Sequence, residues 1–143
     1  MKMEIRESEQ RFLLLQKFLK ENALGDFQVT PLADDCSFRR YFRVKANEVS
    51  FVVMDAPPEK EDTRPFIEIS KLLNGYGFSA PRVFKVDSMN GFLILEDFGN
   101  ETYTKALSED KDELCLYHLA IDLLIDLGRR NYKEEINQLY HQV

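Results

Sequence analysis

Between residues 8 and 22, in SEQRFLLLQKFLKEN, apolar side chains recur every three or four positions. Phe12, Leu15 and Leu19 fall on one helical face with Leu14 and Phe18 beside it. Ser8 is available as an N-cap and Gly25 follows the end, so the spacing predicts a first helix. The period then shortens. DFQVTPLA (26–33), FRRYFRVKA (38–46) and SFVVMDAP (50–57) are short β-rich runs separated by turn-forming or polar residues, and they predict three strands of an antiparallel meander. Helical spacing returns in DTRPFIEISKLLNGYG (62–77), with Thr63 as a cap, Pro65 in the first turn and Phe66, Ile69, Leu72 and Leu73 on the packed side. Two further strands in RVFKVDSMNGFLILEDFG (82–99) flank Asn90-Gly91, a two-residue hairpin signal because both residue types tolerate positive φ. The expected fold is α+β, a five-stranded antiparallel sheet with packed helices.

The pattern changes after Gly99. ETYTKAL (101–107) predicts a short helix and KDELCLYHLAIDLLIDLGRRN (111–131) a long one. Leu114, Tyr117, Ile121 and Leu124 form one stripe on it, assigned to the sheet, and Leu116, Leu119, Leu123 and Leu127 form a second. Together they wrap most of the circumference, as in a helix buried between neighbours. Only YKEEINQLYHQV (132–143) remains to cover the second stripe, which leads to two expectations: the chain is the N-terminal part of a longer protein, and it self-associates through its C-terminal helices.

Charge and composition exclude several classes. The net charge of −6 and pI near 5.0 argue against a general nucleic-acid binder, because backbone affinity comes from clustered Lys and Arg. Cys36 and Cys115 have neither C-x-x-C nor Cys/His ligand spacing, which points to a reduced, cytoplasmic setting and away from a thiolate metal site. No signal-peptide pattern and no apolar run of membrane-spanning length is present. Asp122 and Asp126, one turn apart, read as a metal pair or as a solvated stripe, and carboxylates at that spacing ordinarily face water. His118 and His141 lack an H-x-D pattern, so no residue is assigned to catalysis or to metal.

Four blocks carry a family resemblance: LADDCSFRRYFRV (32–44), FVVMDAPPEKEDTRPFIEISKLL (51–73), GFSAPRVFKVD (77–87) and GFLILEDFGNETY (91–103). In this order they resemble the N-terminal lobe of aminoglycoside phosphotransferase-like kinases, in particular the bacterial branch acting on the anomeric position of N-acetylmuramate and N-acetylglucosamine. The resemblance implies a protein-kinase-like N-lobe over 1–99, then a linker and the first helices of a truncated C-terminal lobe over 100–143. ATP and Mg²⁺ would be the cofactors and an amino sugar the substrate, with the Mg²⁺ ligands and catalytic aspartate in the C-terminal lobe and this chain inactive alone. The alternatives are a non-catalytic kinase-derived binding module and a kinase for another amino alcohol or aminoglycoside.

On this reading the turn DDCSFRR (34–40) covers the triphosphate through backbone N–H groups, the Ser37 hydroxyl and a guanidinium from Arg39 or Arg40. The turn has no glycine and carries Asp34 and Asp35, and a polar turn before an edge strand is the plain alternative. Strand alternation puts Phe38, Arg40, Phe42 and Val44 on one face and Arg39, Tyr41, Arg43 and Lys45 on the other, so at most one of the two arginines is a direct contact. Met54 stands where kinase-like folds place a lysine answered by a glutamate on the next helix, here Glu68. A core methionine and a solvated carboxylate are the competing readings, with a turn arginine replacing the lysine's charge. Asp55 and Pro57-Pro58 read as a rigid turn. By resemblance, Ile94 sits beside adenine and Leu95, Glu96 and Asp97 present the hinge backbone, unless the segment is simply a strand ending in an acidic turn.

Overall fold

The computed structural model describes residues 2–22, 25–32, 38–100 and 113–129. In chain order these form α1 (Lys2–Glu21), β1 (Gln28–Pro31), β2 (Arg40–Ala46), β3 (Val49–Asp55), α2 (Arg64–Gly75), β4 (Val83–Asp87), β5 (Phe92–Glu96) and α3 (Glu113–Arg129). The five strands make one antiparallel sheet in the order β1-β2-β3-β5-β4. The chain divides into two compact units, Met1–Asn74 with Ser79–Asp97, and Gly75–Phe78 with Phe98–Val143. The expected helix at 101–107 and the segment 132–143 lie outside the described residues.

Strand alternation gives the sheet two different faces. On one, Val44, Val53, Phe92 and Ile94 are buried against Leu15, Phe18 and Leu19 of α1, with Phe18 stacked on Phe92 at 5.7 Å. Each of these α1 side chains removed from water contributes about 1.5–3 kcal/mol, which is what holds an amphipathic helix on a sheet. On the other face Met54, Ala56, Leu93 and Leu95 are buried, with Tyr41, Val52, Val83 and the α2 residues Phe66 and Ile67 packed against them.

Several local expectations are corrected. Ser8 is not an N-cap: α1 begins at Lys2, because the preceding Lys, Met, Glu, Ile and Arg favour helix and extend it. In α2, Ile69 is exposed and Ser70 takes the buried position, where its hydroxyl donates to the Pro81 carbonyl. Asn90-Gly91 is not a two-residue hairpin loop, since Asp87 pairs with Phe92 and four residues lie between. The Asp87 carboxylate causes this by accepting from the Asn90 N–H (3.1 Å) and Nδ2 (2.8 Å), which closes the turn earlier. The two-residue connection is instead Asn47-Glu48 between paired Ala46 and Val49, with Asn47 at φ 55°.

Gly91, at φ 74°, is required by a close approach: its carbonyl accepts from the Ala56 N–H at 2.8 Å, and a Cβ there would lie 1.8 Å from the Ala56 oxygen. The turn between β4 and β5 is thereby tied to the exit of β3.

On α3, Ile121 and Leu124, expected to pack on the sheet, are 52% and 68% exposed, while Leu123 and Ile125 are 44% and 46% exposed and Leu127 is half-buried. The side chains of Leu114, Leu116, Tyr117 and Leu119 lie outside the described ones. His118, Asp122 and Asp126 are exposed.

Candidate nucleotide-binding face

Two charge clusters flank the sheet, one on each face. The first centres on Asp55, the last residue of β3, whose side chain is 1% exposed. Its Oδ1 accepts from Arg11 Nε (2.8 Å) and Nη2 (2.6 Å), and its Oδ2 from Arg40 Nε (3.2 Å) and Nη2 (2.6 Å). Arg11 Nη2 also donates to the Asn90 carbonyl at 2.5 Å and its guanidinium lies 4.9 Å from the Phe92 ring centre. Arg40 Nη1 donates to Ser8 Oγ at 2.8 Å. One carboxylate thus joins α1, β2, β3 and the turn before β5. Asp55 is more than part of a rigid turn, and the sequence held the signal for it. Phe51, Val53 and Asp55 alternate on the α1 face, and Arg11 shares the helical stripe of Leu15 and Leu19.

The second cluster lies beside α2's face of the sheet. Arg43 on β2 donates to Asp97 through Nε (2.7 Å to Oδ2) and Nη2 (3.0 Å to Oδ1), and Ser50 Oγ lies 2.5 Å from Oδ2. The hydrogen bond to Asp97 holds the Arg43 guanidinium above its ordinary pKa, against the opposing effect of burial, with the attraction of the Asp97 charge adding to it. Neither Arg43 nor Ser50 stands out in the sequence as more than a strand residue, because their partner lies 54 and 47 positions away.

The residues singled out from the sequence are divided between the two faces. Arg39 lies on the α2 side, its guanidinium 5.7 Å from the Phe66 ring centre and its Nε 3.3 Å from Glu61 Oε2. Arg40 lies on the α1 side, and so does Ile94, inside the cluster with Leu15 and Phe18. Met54 and Leu95 are together on the α2 side, both buried. Glu96 ends β5 opposite Phe51, its N–H donating to the Arg82 carbonyl (2.9 Å) and its Oε2 accepting from the Arg82 N–H (3.2 Å). Asp97 sits in the cluster with Arg43. Glu68 is engaged by Lys71 at 3.0 Å on the solvent side. Ser37, with Asp34, Asp35 and Cys36, lies outside the described residues.

The α1 face offers a groove of about 520 Å³ lined by Ser8, Glu9, Phe12, Leu13, Arg40 and Phe42. It suits a phosphate poorly, since Arg40 is already committed to Asp55 and Glu9 adds a negative charge. Among the described residues no group of three or more His, Cys, Asp or Glu could hold a metal ion, and no helix is long and apolar enough to cross a membrane.

A five-stranded antiparallel sheet with a helix between its third and fourth strands is the N-terminal lobe of a protein-kinase-like fold, and the chain belongs to the phosphotransferase enzyme family (APH), which matches residues 28–129. It is 46% identical over 99 residues to a Pseudomonas aeruginosa protein named N-acetylmuramate/N-acetylglucosamine kinase, covering 68% of this chain and 29% of that one. Proteins of the same name from Pseudomonas putida and Caulobacter vibrioides are 38% and 31% identical, covering 80% and 82% of this chain and 34% and 40% of theirs. The chain therefore spans well under half the length of these relatives.

Proposed function

We propose that the chain is the nucleotide-binding N-terminal portion of an ATP-dependent kinase acting on an amino sugar of the N-acetylmuramate/N-acetylglucosamine type. Residues 1–99 serve as the nucleotide lobe, and residues 100–143 as the linker and first helices of a C-terminal lobe. The observation that carries this reading is the family match across the sheet and α2, combined with relatives of that name more than twice as long. The exposed apolar residues of α3 support a continuation that would cover them.

In kinase-like folds the third strand and the following helix face the phosphates together, so the nucleotide belongs on the α2 side. The opposite face packs against α1, and the groove left there suits a phosphate poorly. Arg39 is then the direct phosphate contact, in place of the missing strand lysine at Met54, and Arg40 is structural. Leu95 lies under the base beside Val52 and Met54, and the backbone of Glu96 and Asp97 supplies a donor and an acceptor to adenine; Ile94 supports the pocket from behind. The Ser37 hydroxyl adds to the phosphate grip. When bound, ATP with Mg²⁺ supplies the phosphoryl group. This chain's share is to orient it and to keep water from the base, while positioning of the acceptor falls to the C-terminal lobe.

The test is ATP titration of the chain followed by NMR. Half a cleft should bind with a dissociation constant of about 1 mM, or roughly 4 kcal/mol. Arg39→Met should abolish saturation and Arg40→Met, if folded, should leave the affinity within about twofold. Equal affinities for Arg39→Met and the unaltered chain would overturn the placement.

A further inference from the structure

We propose that Arg43 and Ser50 are positioning residues for the nucleotide base: through Asp97 they fix the backbone leaving β5 in the geometry that meets adenine. This goes beyond the nucleotide-binding reading and rests on it.

Asp97 lies one residue past the end of β5, where the strand ladder no longer holds the chain. Its side chain ties it to the neighbouring strands. Arg43 from β2 takes both carboxylate oxygens in a two-pronged grip, and Ser50 from β3 lies against one of them. The three side chains therefore tie the strand exit across β2 and β3. Two residues later Gly99 adopts φ 79°, a left-handed backbone conformation that bends the chain just beyond this tie.

Stability alone does not account for the arrangement. Arg43 and Asp97 are only 14% and 6% exposed, and at such burial an ion pair gains little over apolar residues of similar shape. What the fork geometry adds is direction: a guanidinium and a carboxylate lock in one plane, which an apolar contact does not enforce. Direction is what a backbone donor and acceptor need in order to meet one edge of a planar base together, since hydrogen bonds weaken steeply as they leave alignment. On the other side of the same segment Glu96 is held twice to Arg82, so both residues assigned to adenine are clamped, from opposite directions.

The experiment compares ATP with inorganic tripolyphosphate, which carries the phosphates without the base, on the 143-residue chain by NMR titration. Arg43→Met should weaken ATP about tenfold and Ser50→Ala about threefold, with tripolyphosphate binding changed less than about twofold in either. Equal weakening of both ligands, or none of either, in a folded variant overturns the positioning role. If Arg43→Met does not fold, Ser50→Ala decides by the same ratio, since it removes one hydroxyl and leaves the ion pair. Failure of the unaltered chain to bind ATP at all would instead overturn the nucleotide-binding reading, which keeps the two failures distinct.

Discussion

Replacing Asp55 by alanine should strand two guanidiniums. Arg11 and Arg40, 13% and 32% exposed, would face the space the carboxylate now fills, with no anion between them. Removing one partner of a buried ion pair costs about 3–5 kcal/mol, because the remaining charge has lost its water without compensation. Arg40 still reaches solvent and Ser8, so the loss expected is about 3 kcal/mol. The sheet unit as a whole should hold on the order of 10 kcal/mol, which makes this close to a third of it. Urea unfolding followed by circular dichroism would read the loss as a midpoint lowered by about 1–3 M, given the slopes usual for small domains. The informative companion is Arg11→Met with Asp55→Leu and Arg40→Met together, which removes the whole cluster and should recover most of the loss. A midpoint for Asp55→Ala within about 0.3 M of the unaltered chain, or a triple variant no better than Asp55→Ala, would refute the account of this cluster.

Other outcomes follow from particular contacts. Gly91→Ala, with its Cβ 1.8 Å from the Ala56 oxygen at a φ that side chains resist, should cost more than about 2 kcal/mol by the same unfolding measurement, and a neutral result would refute the close approach. The hydrogen bonds from Arg64, side chain first and backbone second, hold the exposed Asp62 carboxyl below its ordinary pKa. The contact is therefore complete above the unfolded value of about 3.9 and is lost as pH falls through the lower folded value. Arg64→Gln should raise the Asp62 titration seen by NMR, and an unmoved titration would show that the pair does not form. The exposed Leu123 and Leu124 of α3 should drive self-association at micromolar concentration, read by light scattering. Changing both to serine should yield monomer, whereas identical behaviour before and after would mean that another surface is responsible.

The elements with strong periodicity were legible in the sequence, because burial of one face is what both the pattern and the fold express. Leu15, Phe18 and Leu19 lie where their spacing puts them, and alternation correctly separated Arg39 from Arg40. Where short polar side chains intervene, the reading failed. The Asp87 carboxylate moves the turn that Asn90-Gly91 predicts, and Ser70 displaces Ile69 from the packed side of α2. The candidate site was legible only in part. A motif names residues near one another in the chain, whereas Asp55 meets Arg11 across 44 positions and Asp97 meets Arg43 across 54. Such partners are found only when the sheet brings them together. Ile94 illustrates a finer limit: its neighbour Leu95 shares the motif but faces the other way.

The position of α1 separates two boundaries that are easily taken as one. The family match spans residues 28–129, yet the hydrophobic centre beneath Val44, Val53, Phe92 and Ile94 is roofed by residues 15–19, and the Asp55 carboxylate takes half of its cationic company from Arg11. A gene trimmed to the recognisable region would encode a sheet with one face bare and one guanidinium short. Its product would aggregate for reasons unrelated to nucleotide chemistry. The span that defines the family and the span that folding requires begin at different residues in this chain, and trimming to the first would sacrifice the second.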